Sequence, residues 1–203
     1  MATNEPRPLR ADAQRNRDRL LEAAVRAFSR DGAEATLDAI AKDAGVGIGT
    51  LYRHFPTRES LVEAAYRNEL DRLCDAAADL LGALPPDQAL RGWMDRFVVY
   101  MSTKRDMADA LRALIAAGGN PFAHSRDRLL AAIGDLLDAG AKAGTVRSDV
   151  AAGDVLASLG GFALTAGEPE QRELAGRLLD LLIDGLRYSS GGAAPAAQVT
   201  DAE

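Results

Sequence analysis

Apolar side chains recur at the helical spacing i, i+3, i+4, i+7 along nearly all of the 203-residue chain, and no segment alternates with the two-residue period of a half-buried strand. The expectation is therefore an all-α fold of about nine helices, cut into lengths by glycine and proline. Those cuts are unevenly spaced. Long periodic stretches occupy most of the sequence, but between Gly32 and Pro56 the breaks crowd together and leave room only for two very short helices.

The first helix is expected over about 11–30, with Leu20, Leu21, Ala24, Val25 and Phe28 as its stripe, ending at Asp31-Gly32. Thr36 is a good N-cap for the next, Asp38 suits its first turn, and Leu37, Ile40, Ala41 and Ala44 share one face. Gly45-Val46-Gly47 breaks that helix after two turns. A second short helix, about 48–54, must stop before Pro56, because the residue preceding proline disfavours helical dihedrals. Thr57 then caps a long helix reaching about Leu81, and Pro85-Pro86 closes the first part of the chain. Beyond it helices are expected at about 87–102, 105–117, 121–143, 150–166 and 170–188. The domain division that follows is a flexible arm (1–10), a helix-turn-helix domain (11–70), a ligand-binding and dimerisation domain (71–188) and a disordered Gly/Ala/Ser-rich tail (189–203).

Two helices with a glycine turn between them can present one helix to a DNA groove, provided that helix has a buried face and an open polar one. On residues 48–54, Leu51 points to the core with Phe55 and with Val46 of the turn. Thr50, Arg53 and His54 point away, and Tyr52 stands at the border. Hydroxyl, guanidinium, imidazole and phenol groups all suit phosphate and base-edge hydrogen bonding. A solvated surface helix would show the same pattern. Charge gives modest support: the net charge is −6, but residues 1–70 balance 11 basic against 11 acidic residues and 71–203 carry 13 against 19. Residues 1–30 alone hold seven Arg and four acids, so positive charge is concentrated at the start of the chain.

The run from Thr36 to Leu61, TLDAIAKDAGVGIGTLYRHFPTRESL, and more broadly Arg17 to Leu70, resembles the N-terminal domain of TetR-family regulators. The resemblance implies a three-helix helix-turn-helix DNA-binding domain on a helical ligand-binding and dimerisation domain, with a small-molecule effector releasing operator DNA. It implies phosphate contacts at Thr36, Tyr52, His54 and Arg58, and base contacts from the first residues of the recognition helix, Ile48, Gly49 and Thr50. Arg53 joins this set from the open face. Gly47 and Gly49 are also explicable by turn geometry alone. Some members have a basic residue at position 38, whereas Asp38 here suits capping its own helix and is assigned no phosphate contact. The Arg-rich lead-in, Arg7, Arg10, Arg15 and Arg17, follows the DNA backbone in one reading and is a solvated arm in the other.

In the second part, Trp93, Phe97, Tyr100 and Met101 fall at helical spacing and are expected to line an effector pocket with Met107, Leu111, Leu114, Phe122 and Phe162, although a plain core would use the same residues. Arg91-Gly92-Trp93-Met94 resembles a subgroup of the same family. The last two helices are more apolar than one lobe requires, and the resemblance implies that they pair across a twofold axis. Val155, Leu159, Leu178, Leu182 and Leu186 are the expected homodimer contacts.

Nothing marks an enzyme or a cofactor. His54 and His124 are far apart, Cys74 has no ligand neighbour, and neither a metal-site nor a phosphate-loop nor a nucleophile-elbow motif occurs. No apolar run approaches the ~20 residues that a membrane helix needs, so the expectation is a cytoplasmic bacterial regulator with double-stranded operator DNA, a second copy of itself and an unidentified effector as partners. The alternative is a helical ligand-binding or scaffold protein that does not touch DNA, which would have no reason to combine Thr36, Tyr52, His54 and Arg58.

Overall fold

The structure, a computed structural model, describes residues 7–165 and 169–187. Nine α-helices are found among the described residues: α1 (Arg7–Asp31), α2 (Leu37–Asp43), α3 (Ile48–His54), α4 (Arg58–Ala83), α5 (Pro86–Asp106), α6 (Ala108–Ala116), α7 (Ser125–Lys142), α8 (Ala152–Thr165) and α9 (Pro169–Leu186). A single 3-10 turn, Gly32–Glu34, joins α1 to α2. Extended pairing among these residues is limited to one isolated bridge, Val146 to Arg187. The expected all-α architecture is therefore present. Residues 7–10, expected as part of an arm, already belong to α1; the disorder expected for 189–203 and for 1–6 lies outside the described residues.

The helix ends follow local chemistry. Thr36 caps α2, its hydroxyl accepting from the Ala39 amide at 3.3 Å. The other end of α2 is closed by paired bonds, Gly45 N–H to the Lys42 carbonyl (3.1 Å) and Val46 N–H to the Ala41 carbonyl (3.0 Å), with Gly45 at φ +67°. This cap needs a left-handed residue, which is why glycine stands there. Thr57 and Ser60 form a reciprocal capping box at the start of α4, each side chain bonded to the other's backbone N–H (3.1 and 3.2 Å). Besides the early start of α1, α5 runs on to Asp106, and α7 starts only at Ser125, because residues 121–124 form turns and His124 takes φ +61°, which a helix cannot include.

A single contiguous core runs from Leu20 on α1 to Leu186 at the end of α9. In the N-terminal part Leu20, Leu21, Ala24 and Phe28 of α1 meet Ile40 and Ala41 of α2, Leu51 of α3, and Leu61, Val62 and Ala65 of α4, all buried. Helix α4 passes unbroken through residues 70 and 71 and buries residues at both ends, so the expected domain boundary falls inside a shared helix. The two parts also meet where Asp109 of α6 lies against Gly32, whose φ of +54° disfavours any other residue and where a Cβ would stand tight against Asp109 Oδ2 (3.2 Å). An ion pair from Arg72 of α4 to Glu22 of α1 (2.5 Å) braces the junction.

Candidate nucleic-acid interface and ligand lobe

Helix α2 is held against α1 by Arg26, whose guanidinium bonds Asp43 at 2.7 and 3.2 Å, and by the buried pair Ile40 and Ala41. Leu51 and Phe55 anchor α3 to the same core. The anchors leave Tyr52 (49% exposed) and Arg53 outward, with Thr50 and His54 half-buried beside them. Ile48 is half-buried against the core and Thr36 is exposed at the head of α2.

The glycines at the start of α3 separate into two kinds. Gly45 requires its positive φ. Gly47 has an ordinary φ of −72°, and a Cβ at either Gly47 or Gly49 would meet nothing within 4 Å. Turn geometry therefore does not demand glycine at 47 or 49, contrary to the alternative weighed from sequence. Its effect is to leave the N-terminus of α3 bare: no side chain caps it, and backbone amides there face whatever approaches.

Arg58 is placed differently from the expectation of a phosphate contact. Its guanidinium turns inward, donating to the carbonyls of Gly32 (3.1 Å), Ala33 (2.9 Å) and Ala35, and stacks on the Phe28 ring with 4.9 Å to the centroid. In this conformation Arg58 clamps the turn that leads into α2. A positive charge at a helix N-terminus opposes the helix dipole, and that oddity was the sequence signal for a partner elsewhere. Arg17 likewise lies over the Phe55 ring at 5.7 Å.

In the second lobe the expected pocket residues come together mainly as packed core. Trp93, Phe97, Tyr100, Met107, Leu111 and Leu114 are buried, and the Trp93 indole N–H donates to the Leu73 carbonyl at 2.8 Å. Aromatic contacts run from Trp93 to Phe97 (5.8 Å), to Tyr100 (6.2 Å), to Tyr66 (6.0 Å) and edge-on to Phe122 (5.3 Å). The Tyr66 and Tyr100 hydroxyls share a buried hydrogen bond of 2.5 Å, and burial pushes the Tyr100 phenol above its usual range. Burial also raises Cys74, to about 11, so it stays a thiol at neutral pH. Two grooves flank this core. One, of about 340 Å³, lies between α4 and α5 with Glu69, Arg72, Asp95, Arg96, Val99 and Tyr100. The other, of about 310 Å³, is bounded by Met101, Lys104, Arg105, Ala108 and Ala163. Of the nine expected pocket residues, Tyr100 reaches the first groove and Met101 the second; Phe162 packs half-buried against the core and Phe122 sits at the surface.

The expected dimer contacts also divide. Val155, Leu159 and Leu186 are buried within the protomer, where they cannot meet a second copy, while Leu178 and Leu182 are half-buried. Leu174 and Leu181, part of the apolar surface that the sequence shows on the last helix but outside the five expected contacts, are 38% and 69% exposed on the outer face of α9 in line with Leu178. On α8, a Cβ at Gly153, Gly160 or Gly161 would meet nothing within 4 Å. Arg91 of α5 ties α9 in place through Asp180 (2.8 Å).

Comparisons with known proteins bear on both lobes. Residues 20–65 match the tetR family of bacterial regulatory proteins, and residues 85–188 match the C-terminal domain of SbtR-like transcriptional regulators. An HTH-type transcriptional regulator of Staphylococcus aureus is 41% identical over 64 residues, 31% of this chain and 35% of that protein, so the chain aligns with about a third of the length of this curated relative. A TetR transcriptional regulator from Streptomyces coelicolor is 55% identical, with a TM-score of 0.82 over 86% of this chain and 99% of the other. The TetR regulatory protein of Mycobacterium vanbaalenii is 37% identical, with a TM-score of 0.74 over 89% of this chain and 100% of the other. With a capped short helix, a glycine turn and an outward-facing α3 on a continuous helical lobe, and with both lobes matched, the chain belongs to the TetR family of bacterial transcriptional regulators.

Proposed function

We propose that the protein is a DNA-binding transcriptional regulator that acts in the bacterial cytoplasm as a homodimer, with α3 entering the major groove of an operator. The observation that carries this reading is α3 itself: its buried side is fixed by Leu51 and Phe55, its N-terminus is bare, and Tyr52 and Arg53 project from its open side. Thr50 and the amides near Ile48 and Gly49 are the groups for base edges and adjacent phosphates. Thr36, Tyr52, Arg53 and His54 are the groups for the DNA backbone.

Two reading heads related by a twofold axis match operator half-sites about one helical turn apart, or a multiple of it. The surface for that axis is the outer face of α8 and α9: small residues on α8 permit close helix approach, and Leu174, Leu178 and Leu181 supply apolar area. Repression, relieved by a small organic effector bound in the second lobe, is the regulatory mode we assign. No metal or redox cofactor enters this scheme.

The test begins with selection of binding duplexes from a random pool by the full-length dimer, followed by fluorescence anisotropy over a range of salt. The wild type should bind a palindrome with affinity that falls steeply as salt rises. The double variant Tyr52→Phe/His54→Ala should weaken binding to all sequences alike and leave the salt slope nearly unchanged, because it removes backbone hydrogen bonds and no Lys or Arg charge. Failure to enrich any duplex would favour the scaffold alternative.

A further inference from the structure

Lys104 of α5 is the feature that the regulator reading leaves unexplained. Its ammonium is half-buried beside the groove bounded by α5, α6 and α8, and no salt bridge to a carboxylate is found for it among the described residues. Its one charge-compensating contact there is the face of Phe122, with 4.3 Å to the ring centroid. Other partly buried cations of the lobe are treated differently: Arg91 meets Asp95 and Asp180, and Arg128 meets Asp71. The groove on the opposite side, between α4 and α5, balances Glu69 and Asp95 against Arg72 and Arg96. In a chain of net charge −6, the groove at Lys104 combines apolar walls with a cation that meets no carboxylate among the described residues.

We propose that this groove takes an amphipathic organic acid, its carboxylate on the Lys104 ammonium and its apolar body against Met101, Ala108 and Ala163. Desolvating an ammonium without a counter-ion is unfavourable, and burial accordingly lowers the Lys104 pKa; a bound carboxylate would offset that cost. Arg105 shapes the site, since its guanidinium donates to the Ala163 carbonyl at 3.3 Å and links α5 to α8 at the edge of the groove. The space, about 310 Å³, suits a single small amphiphile.

The position gives the occupant a route to the DNA-binding end. Ala108, a groove wall, is followed by Asp109, which lies against Gly32 in the turn before α2. A ligand that moved the start of α6 would press on the same turn that Arg58 clamps. That the occupant is the effector rests on the regulator reading; that it binds does not.

The experiment titrates decanoate, decanol and decylamine, each below its aggregation limit, into the full-length dimer by calorimetry, using wild type, Lys104→Met and Lys104→Arg. Decanoate should bind the wild type and Lys104→Arg. Decanol should bind at least about tenfold more weakly, decylamine more weakly still, and Lys104→Met should lose about tenfold for decanoate only, the scale of one charge-assisted hydrogen bond. Circular dichroism checks that the variants are folded. Absence of decanoate binding, equal affinity for acid and alcohol, or indifference to Lys104→Met would each overturn the proposal. Operator release is read separately by anisotropy on the selected duplex. Lys104-dependent binding of decanoate without release would sustain the site and remove its effector role, whereas duplex binding without any decanoate binding would sustain the regulator reading and overturn the site.

Discussion

Arg58→Ala separates two roles that one side chain is asked to fill. The wild-type guanidinium bonds three carbonyls, those of Gly32, Ala33 and Ala35, and covers the Phe28 ring. A hydrogen bond from a charged donor contributes roughly 1.5–3 kcal/mol and a partly exposed cation-π contact about 0.5–1 kcal/mol. The Ala33 carbonyl is exposed and returns to water, while those of Gly32 and buried Ala35 are only partly open to it, so the sum is discounted. We expect a loss of about 2–3 kcal/mol, which for a domain of this size lowers Tm by about 5–10 °C. Arg58→Lys should lose most of the same stability, because an ammonium keeps the charge but cannot bridge three acceptors. The assay is thermal unfolding without DNA, paired with the salt dependence of duplex binding. If Arg58 is instead a phosphate ligand, Tm will stay constant in both variants, Arg58→Lys will bind DNA normally, and Arg58→Ala will reduce the salt slope by about one. That combination would refute the clamp.

Two further outcomes test other parts of the structure. Leu181→Arg, at an exposed position on α9, should convert the dimer to folded monomers in sedimentation velocity, whereas Leu159→Ala, wholly buried on α8, should cost about 2–5 kcal/mol in urea unfolding through the cavity it leaves; a dimer that survives Leu181→Arg would place the interface elsewhere. Tyr66→Phe or Tyr100→Phe alone strands one buried hydroxyl and should cost about 1–3 kcal/mol, while the double variant should be less destabilised than the two costs together, a coupling measurable in a double-mutant cycle. Strict additivity would show that the 2.5 Å contact carries no net interaction.

Local chemistry was legible in the sequence because its causes lie within a few residues. Thr36 and Thr57 start helices by bonding amides three residues on, Gly45 ends one by adopting a conformation other residues avoid, and Pro56 forbids continuation. Those signals delimit α2 and α3 and mark the open face of α3, so this pair of short helices is legible in the sequence. His124 shows the limit: a non-glycine residue in the left-handed region carries no sequence mark, and it delayed α7 to Ser125.

The remaining properties depend on which of several equivalent faces meets which neighbour. Leucines fill a broad arc of α9, so periodicity could not say that Leu186 faces the protomer core and Leu181 faces out. Trp93, Phe97 and Tyr100 had the spacing of either a pocket or a core, and it is packing by α4 that closes them in. Arg58 finds acceptors more than twenty residues earlier in the chain, and Lys104 is conspicuous only because α6 and α8 bring apolar walls beside it. The sequence by itself determined the helices, those of their ends that local capping sets, and the pair of short helices α2 and α3 with its open face. Tertiary structure alone decided which side chains are clamps, which line a groove and which stay exposed on the outer face of α9, because those roles come from contacts between helices that are distant along the chain.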